Sequence, residues 1–178
     1  MATIFETAHL RIRKFRQEDA QPLYRIHEEA EVAKWIPNER YESLTEAEGA
    51  IRFYTDCVER SHLPYVLAVE LKETGALIGD TGANAVEGQP GEVELGYVIC
   101  SSHRGKGYAT ELVCAMSKFL HSAFGIRVLY GRVIKGNTPS EKVLQKNGFR
   151  FLHEQSGAED DPYGCGMLVY QKEFSSEA

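Results

Sequence analysis

The stretch VELGYVICSSHRGKGYAT, residues 93–110, decides how the middle of this chain folds. It begins as a run rich in β-branched and apolar residues, which is typical of a strand. It then turns through Gly105, Lys106 and Gly107, and an amphipathic run begins at Ala109. A glycine-rich turn lets backbone N–H groups converge, and a helix start adds unpaired donors with partial positive charge. The stretch therefore predicts an anion site, with a solvated loop as the alternative.

Two common phosphate-binding motifs do not fit this turn. A Rossmann fingerprint needs G-x-G-x-x-G near the first strand, but Gly105 lies past the middle of the chain and Thr110 stands where the third glycine belongs. A P-loop needs G-x-x-x-x-G-K-[ST], and the sequence contains no such match. The residues exclude both motifs. A pyrophosphate that belongs to another cofactor remains a favoured ligand for the turn.

Periodicity along the chain predicts a single α+β domain over residues 1–178. The predicted order is strand, two helices, three strands, helix, strand, helix and two strands, which makes about seven strands and about four helices around a mixed sheet. We expect Asp19 to cap the first helix. The second helix is expected to start near Thr45, with Glu48 completing a capping box. The tail, from about residue 175 to residue 178, is expected to be flexible.

Composition and charge favour a cytoplasmic protein. The chain has 20 basic and 26 acidic side chains and a net charge of −6, which argues against binding nucleic acid through its whole surface. No apolar run approaches the roughly 20 residues of a membrane span, and the N-terminus lacks a signal-length apolar core. The cysteines lack metal-ligand spacing, so we expect free thiols and no metal site. They are Cys57, Cys100, Cys114 and Cys165.

Four segments, taken in chain order, carry a family resemblance. In the central turn, Arg104, Gly107 and Ala109 match the pattern R/Q-x-x-G-x-G/A. The other segments are HLRIRKFRQEDAQPLY at 9–24, LKETGALIGDTG at 71–82 and VLYGRVIKGNTPSEKVLQKNGF at 128–149. Together they resemble the GNAT acetyltransferase superfamily, and in particular its RimJ/RimL-type branch. The resemblance implies a GNAT fold with a central mixed, mostly antiparallel sheet.

The resemblance also implies a function. It implies an acetyl-CoA-dependent N-acetyltransferase, in which an amine attacks the thioester directly in a ternary complex. The acceptor would be a protein or peptide N-terminal α-amine or a small amine, and the protein would be a monomer or a homodimer. The alternative is a non-catalytic module that binds or senses acyl-CoA. The residues to which the resemblance assigns the cofactor are Tyr97, Val98, Ile99, Arg104, Gly105, Lys106, Gly107, Tyr108, Ala109, Thr110 and Asn137.

Two residues are candidates for proton transfer. Glu94 stands at the position of a frequent GNAT base, and the alternative is a surface carboxylate on a strand. Ser140 stands where the RimJ/RimL branch commonly has a serine, which makes it a candidate to protonate or orient the leaving thiol; alternatively, it satisfies amides at its helix start. Many GNAT proteins have a tyrosine where this chain has Leu144, and Tyr97 or Tyr170 is a possible substitute for Ser140.

Two features of the sequence concern the acceptor end of the site. Trp35 lies in a region that walls the acceptor cleft in the family, so it is a candidate substrate contact, with packing as the alternative. The acidic run Glu159–Asp161 suits a cationic acceptor, although such runs are commonly solvated loops. No single amine follows from these residues.

Overall fold

One eight-stranded sheet forms the centre of the protein. The computed structural model describes residues 3–156 and 166–175. Its strands are β1 (Thr3–Glu6), β2 (Leu10–Arg13), β3 (Tyr65–Leu71), β4 (Leu77–Ala85), β5 (Glu92–Ile99), β6 (Val128–Ile134), β7 (Arg150–Gln155) and β8 (Met167–Glu173). They lie in the order β1-β2-β3-β4-β5-β6-β8-β7. Every neighbouring pair is antiparallel except β5 with β6, so the predicted mixed sheet in an α+β fold is confirmed.

Five α-helices and three short 3-10 turns surround this sheet in the described residues. The helices are α1 (Ala20–Glu28), α2 (Ala30–Ala33), α3 (Leu44–Glu59), α4 (Tyr108–Phe124) and α5 (Thr138–Lys146). The 3-10 turns are Gln17–Asp19, Pro37–Glu39 and Ser101–His103. Helices α1 and α3 pack on β4 and β3, whereas α4 packs on β5 and α5 packs on α4 and β6.

Two elements go beyond the predicted seven strands and four helices. Strand β1 and helix α2 are each only four residues long. Elements of that length carry too few positions for a period of 2 or 3.6 to stand out. Strand β1 exists because a turn, in which the Thr7 N–H donates to the Leu10 carbonyl oxygen, folds it back on β2.

The helix starts are close to the predicted ones, with Asp19 at the N-cap position of α1 and α3 beginning one residue before Thr45, but the side-chain contacts that cap them differ from the prediction. The Asp19 side chain does not cap α1; its carboxylate instead accepts hydrogen bonds from the Arg13 guanidinium at 2.7 and 2.9 Å. Helix α3 begins at Leu44, and its cap is Ser43, whose hydroxyl accepts from the Glu46 N–H at 3.2 Å. The serine with a glutamate three residues later is itself a capping-box pattern, so the sequence contained the signal.

Helix α4 shows how the predicted apolar stripe becomes core. Its side chains Leu112, Met116 and Leu120 are at most 1% exposed. They recur at intervals of four and so lie on one face of the helix. The helix ends, as predicted, at Gly125, whose φ of 65° is a left-handed conformation that glycine adopts readily. This packing fixes the start of α4 against the end of β5.

The described part of the chain contains cysteines only as free thiols. Cys57 and Cys100 are buried and Cys114 is half-buried, all as free thiols, while Cys165 lies outside the described residues. None of the described helices combines the length and apolar character that a membrane crossing requires.

Candidate active site

A cleft opens where strands β5 and β6 part. These parallel strands pair only from Glu92–Glu94 to Val128–Tyr130. On its other edge β5 stays paired with β4 up to Ile99. From Leu95 onward, the β5 edge that faces β6 therefore has no strand partner, and a cleft of about 710 Å³ lies beside it. An extended chain of amides can pair with such an edge as an added strand does.

The glycine turn closes one end of this cleft. Gly105 and Gly107 have φ of 72° and 86°, which non-glycine residues rarely adopt. Helix α4 starts at Tyr108, so its first backbone N–H groups lack helical partners at the turn. The Arg104 side chain donates from Nε to the Ile99 carbonyl oxygen at 2.9 Å and ties the turn to the end of β5. The geometry is that of an anion site at a helix N-terminus.

Most of the predicted cofactor residues come together in the cleft. Tyr97, Val98 and Ile99 line it from the strand, and Asn137 lines it from the start of α5. The turn contributes Arg104, Gly105, Gly107, Tyr108, Ala109 and Thr110. Lys106 is exposed and does not line the cleft. The structure thus brings ten of the eleven predicted cofactor residues to one cavity.

Ser140 and Tyr97 form a hydroxyl pair across the cleft. The Tyr97 phenol and the Ser140 hydroxyl are 2.9 Å apart, and either is able to donate. The cap of α5 is Asn137, whose side-chain oxygen accepts from the Ser140 N–H at 3.4 Å. Burial raises the pKa of Tyr97, although the hydrogen bond from Ser140 and the charge of Arg104 oppose this shift. The Ser140 hydroxyl is therefore engaged with a phenol rather than with the helix amides.

Leu144 occupies the position where many GNAT proteins have a tyrosine. Its side chain is 2% exposed and packs on Gly131 of β6. A Cβ at Gly131 would lie 2.7 Å from a Leu144 methyl carbon, so the two residues are matched in size. The phenol that bonds to Ser140 in this cleft is that of Tyr97 on β5.

Glu94 lines the cleft and is hydrogen-bonded there to Arg132. Its Oε2 accepts from Arg132 Nε at 2.8 Å and from Arg132 Nη2 at 2.6 Å. The side chains of Glu94 and Arg132 are 27% and 42% exposed. Sequence reasoning missed Arg132. Glu94 aligns with Tyr130 in the parallel pair of β5 and β6. Arg132 is two residues after Tyr130 and therefore lies on the same face of the sheet, so this register would have indicated Arg132 as a partner of Glu94.

A second group of residues missed by sequence reasoning lies behind the cleft wall. His27 is 2% exposed; its Nδ1 is 2.7 Å from the Glu39 carbonyl oxygen and its Nε2 is 2.8 Å from Asp80 Oδ2. Both neighbours are acceptors, so both ring nitrogens donate and the ring is an imidazolium. Burial disfavours that charge, but Asp80 and Glu39 together outweigh burial and raise the pKa of His27.

Glu39 and Trp35 line the cleft from the segment between α2 and α3. The Glu39 residue is exposed to solvent at the cleft, yet the protein around its carboxyl removes part of its hydration, and this desolvation raises its pKa. The negative charges of Asp80 and Glu94 raise the pKa further. Trp35 is half-buried, and Lys34 Nζ lies 4.6 Å from its ring centroid. The acidic run Glu159–Asp161 lies outside the described residues.

The fold and the cleft together define a class of protein. A parallel pair that parts beside a glycine turn and a helix start suits an extended cofactor with a phosphate at one end. A family model described as an acetyltransferase (GNAT) domain matches residues 9–150. The chain therefore belongs to the GNAT acetyltransferase family, as the motifs predicted.

Similar proteins agree with this assignment. The uncharacterized N-acetyltransferase p20 of Bacillus licheniformis is 28% identical over 150 residues, covering 84% of this chain and 83% of p20. The ribosomal-protein-S5-alanine acetyltransferase of Vibrio fischeri superposes with a TM-score of 0.80 at 21% identity, covering 95% of each chain. RimL, a ribosomal L7/L12 alpha-N-protein acetyltransferase solved with coenzyme A, has a TM-score of 0.82 at 17% identity, covering 97% of this chain and 98% of that one. The structural neighbours thus include the RimJ/RimL type.

Proposed function

We propose that the protein transfers acetyl from acetyl-CoA to an amine. The observation that carries the proposal is the open edge of β5, which runs from Leu95 to Ile99 and ends at the glycine turn. The amides of the coenzyme A arm suit that edge, and its pyrophosphate suits the turn. Membership of the GNAT family and a neighbour solved with coenzyme A support this choice of cofactor.

Glu94 is the proposed proton acceptor at the amine end. An amine attacks a thioester only when it is neutral, so an arriving ammonium must first lose a proton. Arg132 holds Glu94 through Oε2, and no hydrogen bond to Oε1 is present among the described residues. That oxygen is available to an amine, or to a water between the amine and the carboxylate.

Ser140 and Tyr97 are the proposed groups at the thiol end. When the tetrahedral intermediate collapses, the C–S bond breaks, the nitrogen that attacked releases its second proton to solvent, and the thiolate takes up a proton. The Ser140 hydroxyl supplies that proton and is reprotonated by the Tyr97 phenol, 2.9 Å away. Burial disfavours the phenolate that results and raises the pKa of Tyr97, the charge of Arg104 partly offsets this, and the phenolate regains a proton from solvent.

The acceptor in this proposal is a protein or peptide N-terminal amine or a small amine that enters beside Trp35. Ribosomal-protein acetyltransferases among the structural neighbours support the first kind of acceptor. The half-buried Trp35 ring offers an apolar wall for either kind.

A thiol-release assay with acetyl-CoA, over a panel of small amines and N-terminal peptides, tests the proposal. We expect release that depends on an amine, with acetylated product detected by mass spectrometry. Coenzyme A binding by calorimetry, with no transfer to any amine or peptide, would instead indicate the non-catalytic acyl-CoA module.

Glu94→Gln tests the proposed base. Loss of a general base lowers kcat by about 100-fold, with little change in the KM for acetyl-CoA. Glu92→Gln is the matched control, because Glu92 lies on the same strand, bonds to Tyr130 and does not line the cleft. Full activity in Glu94→Gln would remove Glu94 from the mechanism without touching the fold.

A further inference from the structure

The Glu39 carboxylate differs from the two carboxylates that act on it. Asp80 bonds to His27, and Glu94 bonds to Arg132. Among residues 3–156 and 166–175, no side chain or backbone group hydrogen-bonds or ion-pairs with the Glu39 carboxyl. It is a cleft carboxylate with its lone pairs free.

The backbone of Glu39 is nevertheless firmly held. Its carbonyl oxygen accepts from the buried His27 ring at 2.7 Å, and the other ring nitrogen of His27 donates to Asp80 of β4. The Tyr41 ring packs on the His27 ring with centroids 5.1 Å apart. These contacts fix the Pro37–Glu39 turn against the sheet, so the carboxylate starts from a defined place on the cleft wall.

The charges around Glu39 favour a cation. Burial is the largest cause of the raised pKa of Glu39; the charges of Asp80 and Glu94 raise it further, whereas His27 lowers it. A cation placed at this carboxylate relieves that repulsion and replaces the missing partner. The raised pKa supports a binding site here, and the free oxygens on the cleft wall provide its geometry.

Glu39 lies toward the amine end of the cleft. Its carboxyl is within electrostatic reach of Glu94, the proposed base. Glu94 is five residues before Ile99, where β5 ends at the glycine turn. At about 3.3 Å per residue, roughly 16 Å of strand separates the two ends. A ligand group at Glu39 therefore belongs to the acceptor and not to the cofactor phosphates.

We infer that Glu39 binds a positively charged group of the acceptor other than the amine that is acetylated. The inference rests on the proposed acetyl transfer and narrows its substrate class to amines that carry a second positive charge. The reacting amine must be neutral when it attacks, so it cannot also keep an ion pair through the reaction. A second cation provides binding that does not interfere with the chemistry.

The test compares acceptors that differ only in that charge. Agmatine has one reactive amine and a permanent guanidinium, and its urea analogue N-carbamoylputrescine is neutral at the same position. The peptides Ala-Arg-Ala and Ala-Gln-Ala make the same comparison at a protein N-terminus. The two pairs distinguish a small-molecule source of the second charge from a peptide source.

We expect the wild-type protein to prefer the charged member of at least one pair by about tenfold in kcat/KM, the size of one charge-assisted hydrogen bond. Glu39→Gln should abolish that preference, mainly through the KM for the amine, and leave the KM for acetyl-CoA unchanged. Glu42→Gln is the matched control, because it removes the same charge from an exposed residue outside the cleft. It should keep the preference.

Two results overturn the inference. One is a wild-type protein that acetylates amines without preferring the charged member of either pair. The other is a Glu39→Gln variant that retains the wild-type preference. A protein that acetylates no amine at all contradicts the proposed function itself, so the two failures are distinguishable.

Discussion

The protein holds two groups of charged side chains that are built differently. In the first, the guanidinium of Arg13 bonds to Asp19 at 2.7 and 2.9 Å and to Glu70 at 2.7 Å, and all three residues are at most 5% exposed. In the second, Glu39 and Glu94 face the cleft, where Glu94 has one arginine partner and Glu39 has no side-chain partner among the described residues. The first group is satisfied internally, and the second is open to a ligand.

The difference separates stability from function. A buried charge that loses its partner destabilises the fold strongly, because the remaining charge stays out of water. A carboxylate in an open cleft keeps some solvent, so its removal costs little stability. Variants of the Arg13 group should therefore lower the stability of the fold, and variants of the cleft should alter its activity.

Arg13→Ala is expected to have the largest effect. It leaves Asp19 and Glu70 buried without their shared partner, which should lower the free energy of unfolding by about 3–5 kcal/mol. Urea denaturation measures this change. Arg11→Ala is the control, because Arg11 also bonds to Glu70 but its side chain is 35% exposed, so its loss should lower the free energy of unfolding much less than the loss of Arg13. Equal losses in both variants would contradict the distinction.

His27 shares features of both groups, because it is buried but supports the cleft wall. His27→Gln should therefore have an intermediate effect. Its folded pKa is raised, so its contribution to stability is complete below the unfolded pKa of about 6.5 and is lost as pH rises through the folded pKa. The variant should lose about 2 kcal/mol at pH 6, the scale of hydrogen bonds to a charged group. At pH 9 the loss of unfolding free energy in the variant should be smaller. A loss that instead grows with pH would mean that the buried His27 ring is neutral.

Tyr97→Phe tests the hydroxyl pair in the cleft. Removing a proton donor should lower kcat by about tenfold while stability changes little. Because the two hydroxyls act as one unit, Ser140→Ala should have a similar effect and the double variant little more. Tyr130→Phe is the control, since that phenol donates to Glu92 instead. Effects that multiply in the double variant would mean that the two hydroxyls act independently.

Gly107→Ala should have the smallest effect, and it sharpens the assignment of the turn. A Cβ meets nothing within 4 Å there, so the cost comes only from the positive φ and should be about 1 kcal/mol. Gly125→Ala carries the same kind of strain at the far end of α4, away from the cleft. Both variants should lose stability, but only Gly107→Ala should weaken coenzyme A binding, by about fivefold in calorimetry. Equal affinity for coenzyme A in both variants would mean that the glycine turn is not part of the cofactor site.

Local rules accounted for much of the fold. The hairpin of β3 and β4, the stripe of α4 and the strand β6 follow from periodicity and turn residues over a few neighbouring positions. The cap assignments failed through local competition, since the residues that outcompeted them lie only a few positions away. The Asp19 carboxylate has Arg13 and the Arg16 N–H within reach, and these contacts outweigh the cap.

The candidate site divides by distance along the chain. Glu94, Ser140 and the glycine turn were predicted because the family resemblance places them in order along the chain. Arg132, His27, Asp80 and Glu39 were missed because each lies beside its site partner only through contacts between different elements; His27 and Asp80 are 53 positions apart. No periodicity within one element reports such a pair.

The sequence by itself determined that a glycine turn would end a strand and start a helix, because backbone torsion limits and side-chain alternation act between near neighbours. Only the tertiary structure decided that β6 would part from β5 after Glu94 and leave an edge open. It also decided which carboxylates are satisfied and which face the cleft. Those properties depend on the packing of residues far apart in the chain, and charges acquire or lose their partners only when that packing forms.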